Sequence, residues 1–210
     1  GSGLYAPSDG EVFVDGEKVL GPNRHVGFML QKDLLLPWRT IAKNVELGLE
    51  IQGMPVRERH ERSMALLSNC NLDGFENHYP HQLSGGMRQR AALARTLAVD
   101  PKVLLLDVPF SALDAQTKMV LQQDLAETLA AEKKTALFIT HDLTESVVLS
   151  DRVLVMSQRP GTIIETIDVA LPERANPMAR RHDQSRNVGE YIGQLMELLH
   201  VGDMAQAAEI

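Results

Sequence analysis

Two short stretches of the chain combine residue types that handle phosphate and metal ions. Ser84 precedes a helix-forming run and is a good N-cap, and the glycines Gly85 and Gly86 let a ligand approach the backbone. Asp107 follows the apolar run Val103–Leu106, and an acidic residue at the carboxyl end of a buried strand is a natural Mg²⁺ ligand. A bare helix N-terminus beside such a carboxylate is a natural phosphate site, so the pattern predicts phosphate and magnesium chemistry.

Hydrophobic patterning predicts the elements that carry these residues. Short apolar runs are typical of strands buried on both faces of a parallel sheet, and they occur at His25–Leu30, Val103–Leu106 and Thr135–Thr140. Apolar residues at helical spacing predict helices over about 40–77, 115–132 and 142–150, and a further helix that follows Ser84 and is stopped by Pro101. We also predict a hairpin in Glu11–Val19, a strand at Val153–Met156, a strand pair within Gly161–Val169 and a helical tail. The order of elements indicates an α/β fold.

Length, charge and cysteine content exclude several classes of protein. The 210 residues suffice for one α/β domain, with or without a small inserted subdomain. The formal net charge of −7 argues against a nucleic-acid partner, which needs a basic face. Cys70 is the only cysteine, so we expect no disulfide framework and a reducing cytoplasm. No apolar run approaches the roughly twenty residues that span a bilayer, so any membrane role must come through a partner.

Three motifs in series resemble those of one protein family. LSGGMRQR at Leu83–Arg90, LLLD ending at Asp107 and SALD ending at Asp114 resemble the signature, the Walker B strand and the D-loop of ABC transporter nucleotide-binding subunits. An isolated LSGG is weak, whereas three motifs in this order on a loop–helix–strand–loop background are specific. The resemblance implies a P-loop NTPase-like (RecA-like) parallel sheet core over 1–33 and 88–175. It also implies an inserted helical subdomain at 34–87 and a helical tail at 176–210.

The resemblance also implies roles for individual residues. In this family two subunits sandwich two ATP molecules, each between the P-loop of one subunit and the signature of the other. Gln31 matches the Q-loop glutamine that reaches Mg²⁺ and the attacking water, and Asp107 matches the Mg²⁺ ligand. His141, in the string TALFITHD, matches the switch histidine at the γ-phosphate, although a histidine after a strand is usually structural. The residues that the resemblance places against ATP are Ser84, Gly85, Gly86, Met87 and Asp114.

Two departures from the family pattern bear on catalysis. The residue after Asp107 is normally a glutamate that polarises the attacking water, and here it is Val108, which can neither accept a proton nor orient water. No G-x-x-x-x-G-K-[ST] string occurs in the sequence, so we expect an N-terminally truncated core without the phosphate-binding loop. We therefore expect no useful ATPase activity from this chain alone, and weak or absent binding of ATP and Mg²⁺.

The truncation also predicts an exposed surface. In the family, the phosphate-binding loop leads into a helix that packs under the central sheet. Val103–Leu106 and Thr135–Thr140 should therefore lose part of their cover. Exposed apolar sheet invites self-association, which predicts either a dimer or a marginal, aggregation-prone monomer.

The segment Leu34–Trp38 is an apolar cluster that holds the only tryptophan. In the family this segment lines the groove that receives a membrane permease, and the alternative is the start of a helical core. The flanking strings LPWRT and QRPG resemble importers of nitrate, sulfonates or taurine. The resemblance thus implies a second nucleotide-binding subunit, an integral membrane permease and a place on the cytoplasmic face of the membrane. Two functions stay open: an importer subunit, or a non-catalytic module that lends its signature to a partner ATPase or docks on a permease.

Overall fold

A computed structural model describes residues 2–110, 113–182 and 188–207, with side chains described to 199, and these residues form both strands and helices. The strands are β1 (Phe13–Val14), β2 (Glu17–Lys18), β3 (Val26–Met29), β4 (Val103–Asp107), β5 (Thr135–Ile139), β6 (Arg152–Met156) and β7 (Ile163–Asp168). The helices are α1 (Ile41–Val45), α2 (Leu47–Ile51), α3 (Val56–Asn69), α4 (Gly85–Ala98), α5 (Ala115–Ala131), α6 (Leu143–Leu149), α7 (Pro177–His182) and α8 (Val188–Ala207). The chain divides into two units, Gly1–Asp124 with Ala131–Ile139, and Leu125–Ala130 with Thr140–Ile210.

The first unit contains a parallel sheet in the order β3-β4-β5, as the apolar runs predict. Phe28 of β3 lies opposite Leu105 of β4, and Leu105 lies opposite Leu137 of β5. The alternate positions Leu104 and Leu106 are fully buried, and α4 packs against β3. Because β3 and β4 run in the same direction, the residues that follow them meet at one edge of the sheet.

The opposite face of this sheet is exposed, which corrects the prediction that these strands are buried on both faces. Leu137 and Ile139 are 50% and 55% exposed, and Phe28 is 38% exposed. A continuous apolar run specifies a strand, but it does not specify what covers each face. The predicted loss of cover is seen at Leu137 and Ile139 of β5, whereas Val103 and Leu105 of β4 are half-buried.

Helix α4 packs against the sheet of the first unit, and further helices pack against α4. The predicted hairpin is β1 paired antiparallel with β2. Helices α1, α2 and α3 fill the region predicted to be helical, and α1 and α3 both pack against α4. These helices and the sheet belong to one unit. The boundaries of the predicted helical subdomain, at 34 and 87, stay a prediction.

The second unit is built on the antiparallel pair β6 and β7. The prediction of two strands within Gly161–Val169 is wrong, because the turn lies earlier, where the Ser157 N–H donates to the Thr162 carbonyl at 2.9 Å. A core that includes Val147, Val155 and Ile167 packs between this pair and the helices α6 and α8. The tail is helical as predicted, in the part that the structure describes. None of the helices among the described residues has the length and apolar character to cross a membrane.

Candidate functional site

The N-terminus of α4 is an ordered helix end capped by Ser84. Ser84 has the extended backbone of an N-cap, and its Oγ accepts a hydrogen bond from the Met87 N–H at 3.3 Å. Its carbonyl accepts from the Arg88 N–H at 3.0 Å, which begins the helical ladder. An α-helix leaves its first N–H groups without an intrahelical acceptor, so those of Gly85 and Gly86 present partial positive charge at this end. The geometry fits an oxyanion such as a phosphate.

Gly86 also has a packing reason to be glycine. A Cβ at this position would lie 3.2 Å from Leu113 Cδ2 and 3.6 Å from Thr117 Cγ2, so a side chain would crowd the start of α5. Asp114 caps α5, because its Oδ1 accepts the Thr117 N–H at 3.0 Å, and hydrogen bonds from Thr117 lower the pKa of Asp114. The structure thus gives Asp114 a helix-capping role, and its contact with ATP stays a prediction. Ser111 and Ala112 of the D-loop motif lie outside the described residues.

Gln31 and Asp107 lie at the same edge of the first unit's sheet. Asp107 ends β4, and Gln31 comes two residues after β3, whose last residue, Met29, pairs with Leu106. Both strands point their carboxyl ends at this edge, as the predicted site requires. Among the described residues no group of three or more acidic, histidine or cysteine side chains could hold a metal ion. The roles of Gln31 and Asp107 toward Mg²⁺ stay predictions.

Val108 has a strained backbone at the position of the family's glutamate. Its φ is 43°, in the left-handed region that β-branched residues rarely enter. Its N–H donates to the Ile139 carbonyl at 3.0 Å, which holds the end of β4 beside the end of β5. Strain of this kind costs on the order of 1–3 kcal/mol and concentrates at functional sites.

His141 lies exposed in the second unit, two residues after β5 ends. The loop that carries it is held by the cap of α6, since the Glu145 N–H donates to Asp142 Oδ1 at 3.1 Å. The Thr140 hydroxyl donates to Glu145 Oε2 at 2.5 Å. The loop is therefore ordered by its neighbours, and the contact of His141 with a γ-phosphate stays a prediction.

The arginines of α4 correct one interpretation of the sequence. The helical pattern of the sequence predicts that Arg88, Arg90 and Arg95 stay solvent-compatible, and in the structure each of them is half-buried. In the structure Arg88 Nε donates to Asp33 Oδ2 at 2.9 Å, and Arg95 Nη2 donates to the Asp33 carbonyl at 2.6 Å. Arg90 Nη1 donates to carbonyls at the end of α3. Long side chains reach partners on other elements, and no local pattern in the sequence signals that.

The segment predicted to meet a permease presents two exposed apolar side chains. Trp38 is 71% exposed and Leu34 is 53% exposed, whereas Leu35 between them is buried. Asn44 is fully buried and fixes the segment, because its Oδ1 accepts the Leu36 N–H at 2.7 Å. We call Leu34 and Trp38 the docking pair. The burial of Leu35 supports the alternative that this segment begins a helical core. The exposure of the docking pair fits a surface that binds a partner.

Glu46 is a buried carboxylate that sequence patterns do not reveal. It joins α1 to α2 and is fully buried. Lys43 Nζ lies 2.6 Å, His60 Nδ1 3.2 Å and Arg59 Nε 3.4 Å from its oxygens. Burial raises the pKa of Glu46, but the hydrogen bonds and charges of Lys43 and His60 outweigh it and leave the pKa below its usual value. The run of charged residues 57–62 has the composition of a solvated face, but Arg59 and His60 of this run contact the buried Glu46.

Replacing Glu46 by glutamine is expected to lower the free energy of unfolding by about 2 kcal/mol at pH 7, since hydrogen bonds to a charged group are lost. Because the folded pKa lies below the ordinary value of 4.5, this stabilisation is complete above that value and is lost as pH falls through the folded pKa. Urea unfolding between pH 7 and pH 3 checks this. The exposed Glu58→Gln on α3 is the control, and a difference that stays constant down to pH 3 would contradict the prediction.

A cavity of about 1290 Å³ lies at the other edge of the first unit's sheet. It is lined by Val103 and Thr135, the first residues of β4 and β5, together with basic side chains that include Lys102 and Lys134. The residues matched to nucleotide contacts in this unit follow the opposite ends of the strands or begin α4. The cavity is therefore separate from the candidate site.

Comparisons with known proteins identify the family of this chain. The ABC transporter family profile matches residues 2–111. An uncharacterized ABC transporter ATP-binding protein from Methanocaldococcus jannaschii is 49% identical over 170 residues, which are 81% of this chain and 64% of that protein. The nitrate import protein NrtD from Synechocystis is 44% identical over 171 residues, 81% of this chain and 64% of NrtD. The taurine import protein TauB from Yersinia pestis is 42% identical over 173 residues, 82% of this chain and 68% of TauB.

The chain thus spans about two thirds of the length of the curated relatives that it matches. A solved structure, the dimeric post-hydrolysis state of an ATP-binding cassette with ADP and phosphate, superposes with a TM-score of 0.70 at 33% identity. The match covers 79% of this chain and 76% of that one. These matches confirm the P-loop NTPase fold with its parallel sheet, and the chain belongs to the ABC transporter family.

Proposed function

We propose that this chain acts in an ABC importer of a small organic or inorganic anion, as part of the ATP-binding subunit on the cytoplasmic face of a membrane. The observation that carries the proposal is the Ser84-capped N-terminus of α4 in the family's signature motif. Relatives named for nitrate and taurine import support the class of cargo. The docking pair supports a permease as the second partner.

The residues present fit one half of an ATP site. In the proposed role the N–H groups of Gly85 and Gly86 contact the γ-phosphate of an ATP that a second subunit holds, and Ser84 keeps the helix end in place. ATP supplies the free energy of its hydrolysis to the transport cycle. Asp107 offers a single carboxylate, so the described residues do not form a complete Mg²⁺ site.

Val108 favours a second candidate function, the non-catalytic module. A valine offers no group that can accept a proton from water, and the loss of a general base typically costs roughly a hundredfold to ten-thousandfold in rate. In this role the chain lends its signature helix end to the ATP of an intact subunit, or docks on a permease without hydrolysing ATP. The module needs the features that α4 provides, and it does not need a base at position 108.

Mixing the chain with a full-length homologue such as NrtD tests the role of the helix end. We expect an ATP-dependent complex, measured by analytical ultracentrifugation, and we expect Ser84→Ala to weaken it by roughly fivefold to tenfold, because loss of an N-cap costs about 1 kcal/mol or more. Thr40→Ala is the matched control, since Thr40 caps α1 with the same 3.3 Å hydrogen bond, to the Lys43 N–H.

The results that would overturn the proposal are equally direct. A wild-type chain that forms no complex with the homologue at saturating ATP contradicts the proposed role. If Ser84→Ala and Thr40→Ala weaken the ATP-dependent complex equally, the loss of either N-cap acts only by destabilising the folded chain. Magnesium-dependent phosphate release by the pure chain refutes the predicted catalytic defect.

A further inference from the structure

Three side chains of α4 hold the segment that follows β3. Gln89 Nε2 donates to the Gln31 carbonyl at 2.9 Å, and Arg88 Nε donates to Asp33 Oδ2 at 2.9 Å. Arg95 donates to the Asp33 carbonyl at 2.6 Å and to the Leu34 carbonyl at 2.8 Å. We call these three side chains the α4 clamp: Arg88, Gln89 and Arg95.

The burial of Gln89 indicates that its side chain is placed to bind the backbone of Gln31. Its side chain is buried, with 4% exposure, and its Oε1 has no hydrogen-bond partner among the described residues. A buried amide with one unsatisfied atom destabilises the fold, and an apolar residue of the same length would avoid that cost. The placement of the amide is therefore explained by the one bond that it makes, to the backbone of Gln31.

The hold continues along the segment to the docking pair. Asp33 Oδ1 accepts the Leu35 N–H at 3.1 Å, and Leu34 adopts a left-handed backbone with a φ of 46°. The Asn44 side chain then holds the backbone of Leu36: Asn44 Oδ1 accepts the Leu36 N–H, and Asn44 Nδ2 donates to the Leu36 carbonyl. The backbone between Gln31 and Leu36 is thus anchored at nearly every residue and is not a free loop.

One residue of the α4 clamp, Arg88, also binds the loop that precedes the N-terminus of α4. Arg88 Nη1 donates to the carbonyl of Leu83 at 2.8 Å, and Leu83 directly precedes the capping residue Ser84. One guanidinium therefore ties the loop before the helix end to the segment after β3. These hydrogen bonds give a displacement of α4 a direct physical route to that segment.

We propose that Arg88, Gln89 and Arg95 are positioning residues that make α4 and the segment 31–36 one body. When a phosphate seats at the Ser84 end of α4, the clamp carries the displacement to Leu34 and Trp38. This rests on the proposed function, since it assumes that α4 receives a phosphate. It adds which side chains couple that event to the surface for a partner.

The single tryptophan makes the coupling measurable. The chain is mixed with full-length NrtD in which every tryptophan has been replaced by phenylalanine, so that Trp38 alone emits. We expect ATP to change Trp38 emission in the wild-type complex. In Gln89→Leu and in Arg95→Gln we expect less than about a fifth of that change, with affinity for NrtD within about twofold, since neither side chain lies at the helix end.

A matched control lies on the same helix. Arg90 donates to the carbonyls of Cys70 and Asn71 and makes no hydrogen bond to the segment 31–36. Arg90→Gln should keep the full emission change, and Arg95→Lys, which retains a donor, should recover part of it. A merely structural role of these arginines would give the same loss in Arg90→Gln as in Arg95→Gln, and this outcome would overturn the inference.

Hydrogen exchange in the free chain tests the clamp without a partner. We expect the amides of Leu35 and Leu36 to exchange at least about tenfold faster in Gln89→Leu and Arg95→Gln, and at the wild-type rate in Arg90→Gln. Unchanged exchange in the clamp variants contradicts the inference, whatever the mixing experiment gives. Altered exchange in the variants combined with no ATP-dependent complex in the wild type contradicts the proposed function and the coupling, while the clamp itself stands.

Discussion

Replacing Asn44 by aspartate is expected to lower the free energy of unfolding by about 3 kcal/mol, because it leaves several buried polar groups opposed or unpaired. Asn44 is fully buried, and its Nδ2 donates to the carbonyls of Leu36, Arg39 and Thr40 at 3.2, 3.1 and 3.0 Å. Aspartate has nearly the same shape but no donor, so a carboxylate oxygen would face three carbonyl oxygens. The segment 34–40 should then detach from α1.

Urea unfolding at pH 7 measures the loss of stability, and Trp38 emission measures the detachment. The matched control is Asn77→Asp, the same substitution at an exposed position, where a change within about 0.5 kcal/mol is expected. A loss below about 1 kcal/mol in Asn44→Asp, or an unaltered emission spectrum of Trp38, would show that Asn44 does not organise the docking pair.

Local patterns predict the elements of this fold well, because each element is specified by residues near one another in the sequence. The apolar runs place β3, β4 and β5, and Ser84 followed by two glycines and an alanine-rich run places the start of α4 within a residue. The resemblance to the signature motif follows from the same short string. These features depend on backbone preferences and periodicity, which act over one or two turns of chain.

The contacts that organise the site come from distant parts of the chain and leave no local pattern. Arg95 reaches the carbonyl of Leu34 across 61 positions, and Gln89 reaches that of Gln31 across 58. The buried Glu46 pairs with basic side chains from two helices, although these residues resemble ordinary surface charge in the sequence. Such partners are fixed by how elements pack, so only the structure identifies them.

Local sequence patterns also do not predict which face of a strand is exposed, or the left-handed backbone at position 108. The sequence of β5 is as apolar as that of a covered strand, and yet Leu137 and Ile139 are exposed on one face. Val108 follows a strand and, as a β-branched residue, favours extended backbone, although its φ is 43°. The carbonyl of Ile139 on the neighbouring strand holds it there.

The substitution with the largest expected effect on activity is at position 108. A chimaera that places the segment preceding the matched region of NrtD before this chain adds the family's phosphate-binding loop. We expect the chimaera with Val108→Glu to release phosphate roughly a hundredfold to ten-thousandfold faster than the chimaera with Val108, because the glutamate supplies a general base beside Asp107. Steady-state phosphate release at saturating MgATP measures the ratio.

Val108→Gln is the matched control for that experiment, since glutamine has the shape of glutamate but accepts no proton. It should stay within about tenfold of the Val108 chimaera, while all three chimaeras form the ATP-dependent complex with a second subunit. Equal rates in the Val108 chimaera and in its Val108→Glu variant would show that another group supplies the base, and the non-catalytic module would lose its support. A large ratio with intact complex formation would mean that Val108 removes hydrolysis and leaves the signature helix able to serve a partner's ATP.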